Sequence, residues 1–153
     1  MTTITEYYAK DHDRLDALFK GFQELKKTDP KKARENFVQF KFGLQRHIIW
    51  EEDILFPIFD KATGQGGSGP TAVMRLEHRE ILKHLERIHD EVAKGTFASD
   101  TAEAQLFEVL TQHNLKEEKI LYSAIDAILS EEDYPSIFRR MEEVPPERYE
   151  TCC

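Results

Sequence analysis

The stretch His47-Ile48-Ile49-Trp50-Glu51-Glu52-Asp53-Ile54-Leu55-Phe56 returns 66 residues later as His113-Asn114-Leu115-Lys116-Glu117-Glu118-Lys119-Ile120-Leu121-Tyr122. The same shift lays His12 on His78, so each half of the chain carries a histidine followed 35 residues later by His-x-x-x-Glu. Four residues turn an α-helix by about 400°, which leaves the two side chains of such a motif about 40° and 6 Å apart on one face. Both members can then address one centre. A pattern repeated at this spacing predicts two helical hairpins related by approximate twofold symmetry.

Outward from these motifs, apolar residues recur at steps of three and four. One segment carries Ile4, Tyr8, His12, Leu15, Phe19 and Phe22, and the next Phe37, Phe40, Leu44, His47, Glu51, Ile54 and Ile58. A third reads Met74, His78, Ile81, Leu85, Ile88 and Val92, and a fourth Leu106, Leu110, His113, Glu117, Leu121, Ala124 and Ile128. Breakers separate them at Thr28-Asp29-Pro30, at 63–70 (TGQGGSGP) and at 95–101 (GTFASDT). Thr3 with Glu6 has the form of a capping box, Pro30 and Pro70 suit first-turn positions, and Asp100 with Glu103 resembles a cap. Short connections make successive helices antiparallel neighbours, so the expected fold is all-α, an up-down-up-down four-helix bundle over 1–130. Tyr134-Pro135 opens a short further helix that stops near Pro145-Pro146, and 131–153 is read as that helix and a flexible tail.

In an antiparallel hairpin, residues equidistant from the turn lie at one height. His12 and His47 are centred on Asp29-Pro30, His78 and His113 on Gly95, and Glu51 and His78 on the glycine-rich loop. All six ionisable residues of the two motifs are therefore expected in one layer. Four imidazoles and two carboxylates set among Leu, Ile and Phe would each cost several kcal/mol if left uncompensated. Two divalent ions resolve this, each taking two histidines and one oxygen from each of two bridging carboxylates. A bridging oxo, hydroxo or water completes the expected set, with at least one open position per metal. Imidazole with carboxylate suits iron and admits manganese or zinc, and iron is the choice here because its redox states and vacant positions allow O2, NO or peroxide to bind.

Composition narrows the alternatives. The 153 residues suffice for one domain, and a net charge of −8 opposes binding to nucleic acid through its phosphates. No apolar run approaches the roughly 20 residues that span a bilayer, and the start of the chain lacks the order of a signal peptide, so a cytoplasmic protein is expected. The only cysteines are Cys152 and Cys153, which leaves no disulfide framework and no cysteine zinc site. The glycine-rich 64–69 segment lacks the strand and lysine of a phosphate-binding loop.

Over roughly residues 3–129 the paired His-x-x-x-Glu motifs resemble the hemerythrin-like, HHE cation-binding domain, and Leu55-Phe56-Pro57 matches the same family. The resemblance implies a non-haem di-iron centre with His12, His47, His78 and His113 as terminal ligands and Glu51 and Glu117 as bridges. Oxygen-carrying hemerythrins place His-x-x-x-His on the third helix and end the fourth-helix motif with Asp; here Met74 and Leu82 flank His78, and Glu117 stands in the aspartate position. The chain is more similar to the four-histidine branch, associated with iron or oxygen sensing, nitric-oxide responses, iron-sulfur repair or peroxide removal. The leading expectation is a sensing or stress-response protein that binds O2, NO or peroxide, served by a redox partner of unknown identity and existing as a monomer or weak homo-oligomer. A catalase-like peroxide-decomposing enzyme and a metal-storage or structural bundle are the alternatives.

Several neighbours carry two readings. Tyr8, one turn before His12, is a packed core tyrosine or an oxygen near the centre; Gly43 permits close helix packing or leaves room for a ligand. Glu52 and Glu118 directly follow the proposed bridges and are read as surface groups or as partners just outside the ligands, with replacement of a neighbouring ligand as the lesser alternative, while His84 and His89 lie off the centre. Pro57 is expected to kink its helix. Cys152 and Cys153 are read as a reduced tail.

Overall fold

The computed structural model describes residues 2–151, and the expectation for Cys152 and Cys153 lies outside them. α1 (Ile4–Leu25) opens on the capping box, with the Thr3 hydroxyl accepting from the Glu6 N–H and Glu6 reaching back to the Thr3 N–H. α2 (Pro30–Trp50) starts with Pro30 behind Asp29, whose carboxylate accepts from the Lys32 N–H. A single π-turn over Glu51–Leu55 joins α2 to α3 (Phe56–Thr63), making one continuous rod. α4 (Pro70–Lys94) is followed by α5 (Asp100–Lys116), a second π-turn over Glu117–Leu121 and α6 (Tyr122–Ile128). α7 (Asp133–Glu142) and a 3-10 turn at Pro146–Arg148 complete the described chain. The fold is the expected all-α, up-down-up-down bundle, with α1 against α2 and α4 against α5. No described helix is long and apolar enough to cross a membrane.

Gly64 and Gly95 end α3 and α4 with φ of 70° and 78°, the left-handed conformation that glycine adopts at least cost. The start of α5 differs from the expected cap by one residue. Ser99 is the cap position and Asp100 the first helical residue, while Glu103 turns inward to accept from Ser99 Oγ and to pair with Lys26. A buried carboxylate with an ammonium partner outweighs a local capping bond here.

At Pro57 the structure shows a register change and not a break, with the proline in the first turn of α3 directly after the π-turn. Both rods change register, at Phe56 N–H→Glu51 O and at Tyr122 N–H→Glu117 O, although Ser123 occupies the place of Pro57 in the second copy. The π-turn therefore belongs to the repeat and not to the proline.

Two apolar clusters sandwich the layer of ionisable residues. One packs Leu15, Phe19, Phe22, Phe37, Phe40, Ile81, Leu85 and Leu106. The other packs Ile4, Tyr8, Trp50, Phe56, Leu121 and Tyr122 with Tyr134, Ile137 and Met141 of α7. α7 is held by the Trp50 indole donating to the Met141 carbonyl, and by Asp126, which takes the Tyr134 hydroxyl and the N–H groups of Ile4 and Thr5.

Candidate metal centre

His12 comes from α1, His47 from α2, His78 from α4 and His113 from α5, while Glu51 and Glu117 are the first residues of the two π-turns. All six are at most 3% exposed, and they meet at mid-bundle. His12 Nε2 stands 3.2 Å from Glu117 Oε1 and His47 Nε2 3.6 Å from Glu51 Oε2. On the other side His78 Nε2 stands 3.1 Å from Glu51 Oε1 and His113 Nε2 3.2 Å from Glu117 Oε2. Each carboxylate thus divides its two oxygens between two histidine pairs. Single donor atoms of Glu51, His78, His113 and Glu117 lie within 4.8 Å of one another, as do those of His12, His47 and Glu117.

Outward from the rings, every Nδ1 meets a carboxylate. His47 donates to Asp11 at 2.8 Å, His113 to Glu77 at 2.8 Å, His12 to Glu118 at 3.1 Å and His78 to Glu52 at 2.5 Å. The 66-residue shift maps these contacts onto each other, Asp11 onto Glu77 and Glu52 onto Glu118. Such partners fix the ring orientation and tautomer and turn each Nε2 toward the interior. Arg14 pairs with Asp11 and Lys116 with Glu77.

The electrostatics follow from the burial. Desolvation opposes charge on His47, but Glu51 and Asp11 outweigh it and push its pKa up to about 10. His78 behaves likewise with Glu51 and Glu52, rising to about 9, and His113 is raised in the same way, chiefly by Glu117. Burial also opposes ionisation of Glu51, yet His47 and its hydrogen bonds hold that carboxyl well below the usual range. Protonation of His47 and His78 thus compensates the buried Glu51 carboxylate. Compensation is incomplete, since Glu51 Oε1, Glu117 Oε2 and His78 Nε2 are buried without a hydrogen bond. Orphaned acceptors facing imidazole nitrogens are the donor set that an ion would satisfy.

Tyr122 was not foreseen. Its hydroxyl donates to Glu51 Oε2 at 2.6 Å and lies 2.9 Å from Glu117 Oε1, 3.1 Å from His47 Nε2 and 3.3 Å from His12 Nε2. At 100° per residue Tyr122 would stand about 140° from Glu117, on another face, and it is the π-turn between them that brings it round. Tyr8 is the packed core tyrosine, its hydroxyl donating to Met141 Sδ at 3.3 Å and its ring 5.0 Å from that of His47. Burial first, then nearby carboxylates, hold both phenols well above their ordinary pKa.

Glu52 and Glu118 are the outer partners just described. Asp11 and Glu77 were missed, although each directly precedes a proposed ligand and obeys the repeat. Gly43 serves close packing, because a Cβ there would stand 2.6 Å from Leu15 Cδ2 and 2.9 Å from Arg14 Nη2. His84 and His89 lie away from the layer, beside Glu80 and Lys41 respectively. A second acidic group, Glu86 with His89 and Asp90, has the Lys41 ammonium 2.9 Å from Glu86, so a cation already sits there.

Residues 3–125 match the family model of the hemerythrin HHE cation-binding domain. The chain is similar to a protein of Nostoc sp. named DNA nickase, at 30% identity over 84% of this chain and 35% of that protein. It is 27% identical to an uncharacterized hemerythrin-like protein of Schizosaccharomyces pombe, over 87% of this chain and 64% of the relative. The iron-sulfur cluster repair protein YtfE of Edwardsiella ictaluri is 26% identical over 78% of this chain and 61% of its own length. The chain therefore spans between about a third and just under two thirds of the length of these three relatives. No solved structure matches it. With its histidines and glutamates gathered in one buried layer of a helical bundle, the chain belongs to the hemerythrin HHE cation-binding domain family.

Proposed function

We propose that the layer holds two iron ions, with His12 and His47 serving one, His78 and His113 the other, and Glu51 and Glu117 bridging them. The observation that carries this reading is the division of each carboxylate between the two histidine pairs, at 3.1 to 3.6 Å throughout. Iron bound there would supply a change between Fe(II) and Fe(III) and open positions for O2, NO or peroxide. The relatives named for iron-sulfur cluster repair support iron as the metal and a stress-response setting.

The chain's own residues prepare the site for a small diatomic or triatomic ligand. Asp11, Glu52, Glu77 and Glu118 hold the imidazoles in place. Leu15, Leu44, Ile48, Ile81 and Leu110 line a small, partly enclosed cavity beside the four histidines, with about 10 Å³ open to the centre of a water-sized sphere.

Protein loaded anaerobically with ferrous salt and desalted is expected to retain about two irons per chain. Glu51→Ala and Glu117→Ala should each lower that to one or none. The loaded protein's absorption should change on titration with O2, NO or peroxide, and steady oxygen release from peroxide would mark the enzymatic alternative. Iron retention below one per chain in the parent, or retention in both variants equal to the parent's, refutes the reading.

A further inference from the structure

The two halves of the centre differ by one oxygen. Under the 66-residue shift Phe56 and Tyr122 are equivalent, each directly following a π-turn that starts on a central glutamate. Phe56 lays its ring against His78, centroids 5.8 Å apart and planes 8° from parallel. Tyr122 instead places its oxygen 2.6 to 3.3 Å from four atoms, which are one oxygen from each glutamate and the Nε2 atoms of His12 and His47.

Those spacings have a simple meaning. Nitrogen and oxygen ligands sit about 2.0 to 2.2 Å from a common ion, so mutually cis ligands stand about 3 Å apart. The four distances from Tyr122 bracket that value, and three of its neighbours, His12, His47 and Glu117, offer donor atoms within 4.8 Å of one another. Within this half His12 stands 3.2 Å from Glu117 and His47 3.6 Å from Glu51. The opposite half gathers four donors, Glu51, His78, His113 and Glu117, with 3.1 Å between His78 and Glu51 and 3.2 Å between His113 and Glu117. Phe56 brings no oxygen to it. Its atoms are also the unsatisfied ones, for Glu51 Oε1, Glu117 Oε2 and His78 Nε2 all belong there.

We propose that Tyr122 supplies a fifth protein donor to the His12/His47 half of the centre, which leaves the His78/His113 half as the place where a small exogenous ligand binds. The inference rests on the di-iron reading above. It makes the near-symmetric repeat functionally unequal, one half closed by the chain and one open.

The test uses the full chain loaded with ferrous salt and then oxidised, with iron content measured on every sample. The parent is expected to show a tyrosinate-to-ferric absorption in the visible and tyrosine ring modes in resonance Raman. Both should vanish in Tyr122→Phe while about two irons per chain remain. Azide is the probe for the open half. Phe56→Tyr, which adds a hydroxyl at the equivalent place, should weaken azide binding at least tenfold without loss of iron. A parent that retains two irons without the tyrosinate signature, or a Tyr122→Phe variant that keeps it, overturns the donor assignment. Unchanged azide affinity in Phe56→Tyr overturns the assignment of the open half. A parent that retains no iron refutes the centre itself and this inference with it.

Discussion

Asp11 holds His47 from outside while Glu51 faces it from inside, so a single ring is oriented from both ends. Arg14 in turn neutralises Asp11, and together His47 and Arg14 overcome the burial that would raise its pKa and hold that carboxyl below the usual range. Removal of such an outer partner commonly costs about 10- to 100-fold in metal affinity, because the ring loses its preferred tautomer and direction. Asp11→Ala is expected to weaken iron binding by about that factor, read by competition with a chromophoric chelator. Asp11→Asn keeps an acceptor for the Nδ1–H and should lose less. Equal affinity in parent and Asp11→Ala would show that the outer carboxylate plays no part. These outer acids were open to discovery in the sequence, since Asp11 and Glu77, like Glu52 and Glu118, are 66 residues apart. Asp11 and Glu77 were missed because each serves a histidine on another helix, and a contact between rods leaves no local period.

At the level of the elements, the hairpin α1–α2 depends on close approach beside the centre. A Cβ on Gly43 would press on Leu15, which is 2% exposed and borders the cavity over the histidines. Overpacking of a core position costs about 1 to 3 kcal/mol, against about 1 kcal/mol gained by replacing a helical glycine with alanine. Gly43→Ala is therefore expected to destabilise the protein by about 1 kcal/mol and lower its melting temperature by about 3 °C. A melting temperature at or above the parent's would show that Leu15 and Arg14 move aside freely. The rods themselves were legible, because apolar residues at a 3.6 period and Pro30, Gly64, Pro70 and Gly95 mark faces and ends unambiguously. The π-turns were not. A helical register that slips by one residue is stabilised by tertiary contacts, and a constant 100° per residue puts Tyr122 on the wrong face. That one slip separates the six residues found by spacing from the seventh that the structure adds.

Across the whole molecule, a chain of net charge −8 concentrates six carboxylates around four imidazoles at its centre, where protons and a bound ion would compete for the same nitrogens. In the metal-free protein His47 titrates near 10 and His78 near 9, both above the ordinary 6.5. A histidine pKa raised by folding contributes stability that is fully present below about pH 6.5 and is lost as pH climbs through the folded value. The depressed carboxyls of Glu51, Asp11 and Glu77 work in the opposite sense, contributing above their ordinary 3.8 to 4.5 and losing that contribution in acid. Metal-free protein should thus melt highest in a window of roughly pH 4.5 to 6.5 and weaken toward pH 10. Metal binding must run the other way, since an ion takes only the neutral ring. At pH 7 loading is expected to expel at least the two protons of His47 and His78 per chain, and metal affinity should rise steadily with pH toward 9 to 10. Calorimetric titration of the metal in buffers of different ionisation enthalpy measures that number directly. A count of zero at pH 7 would mean that the imidazoles are already neutral, and that the paired carboxylates in the layer are not held ionised by protonated histidines.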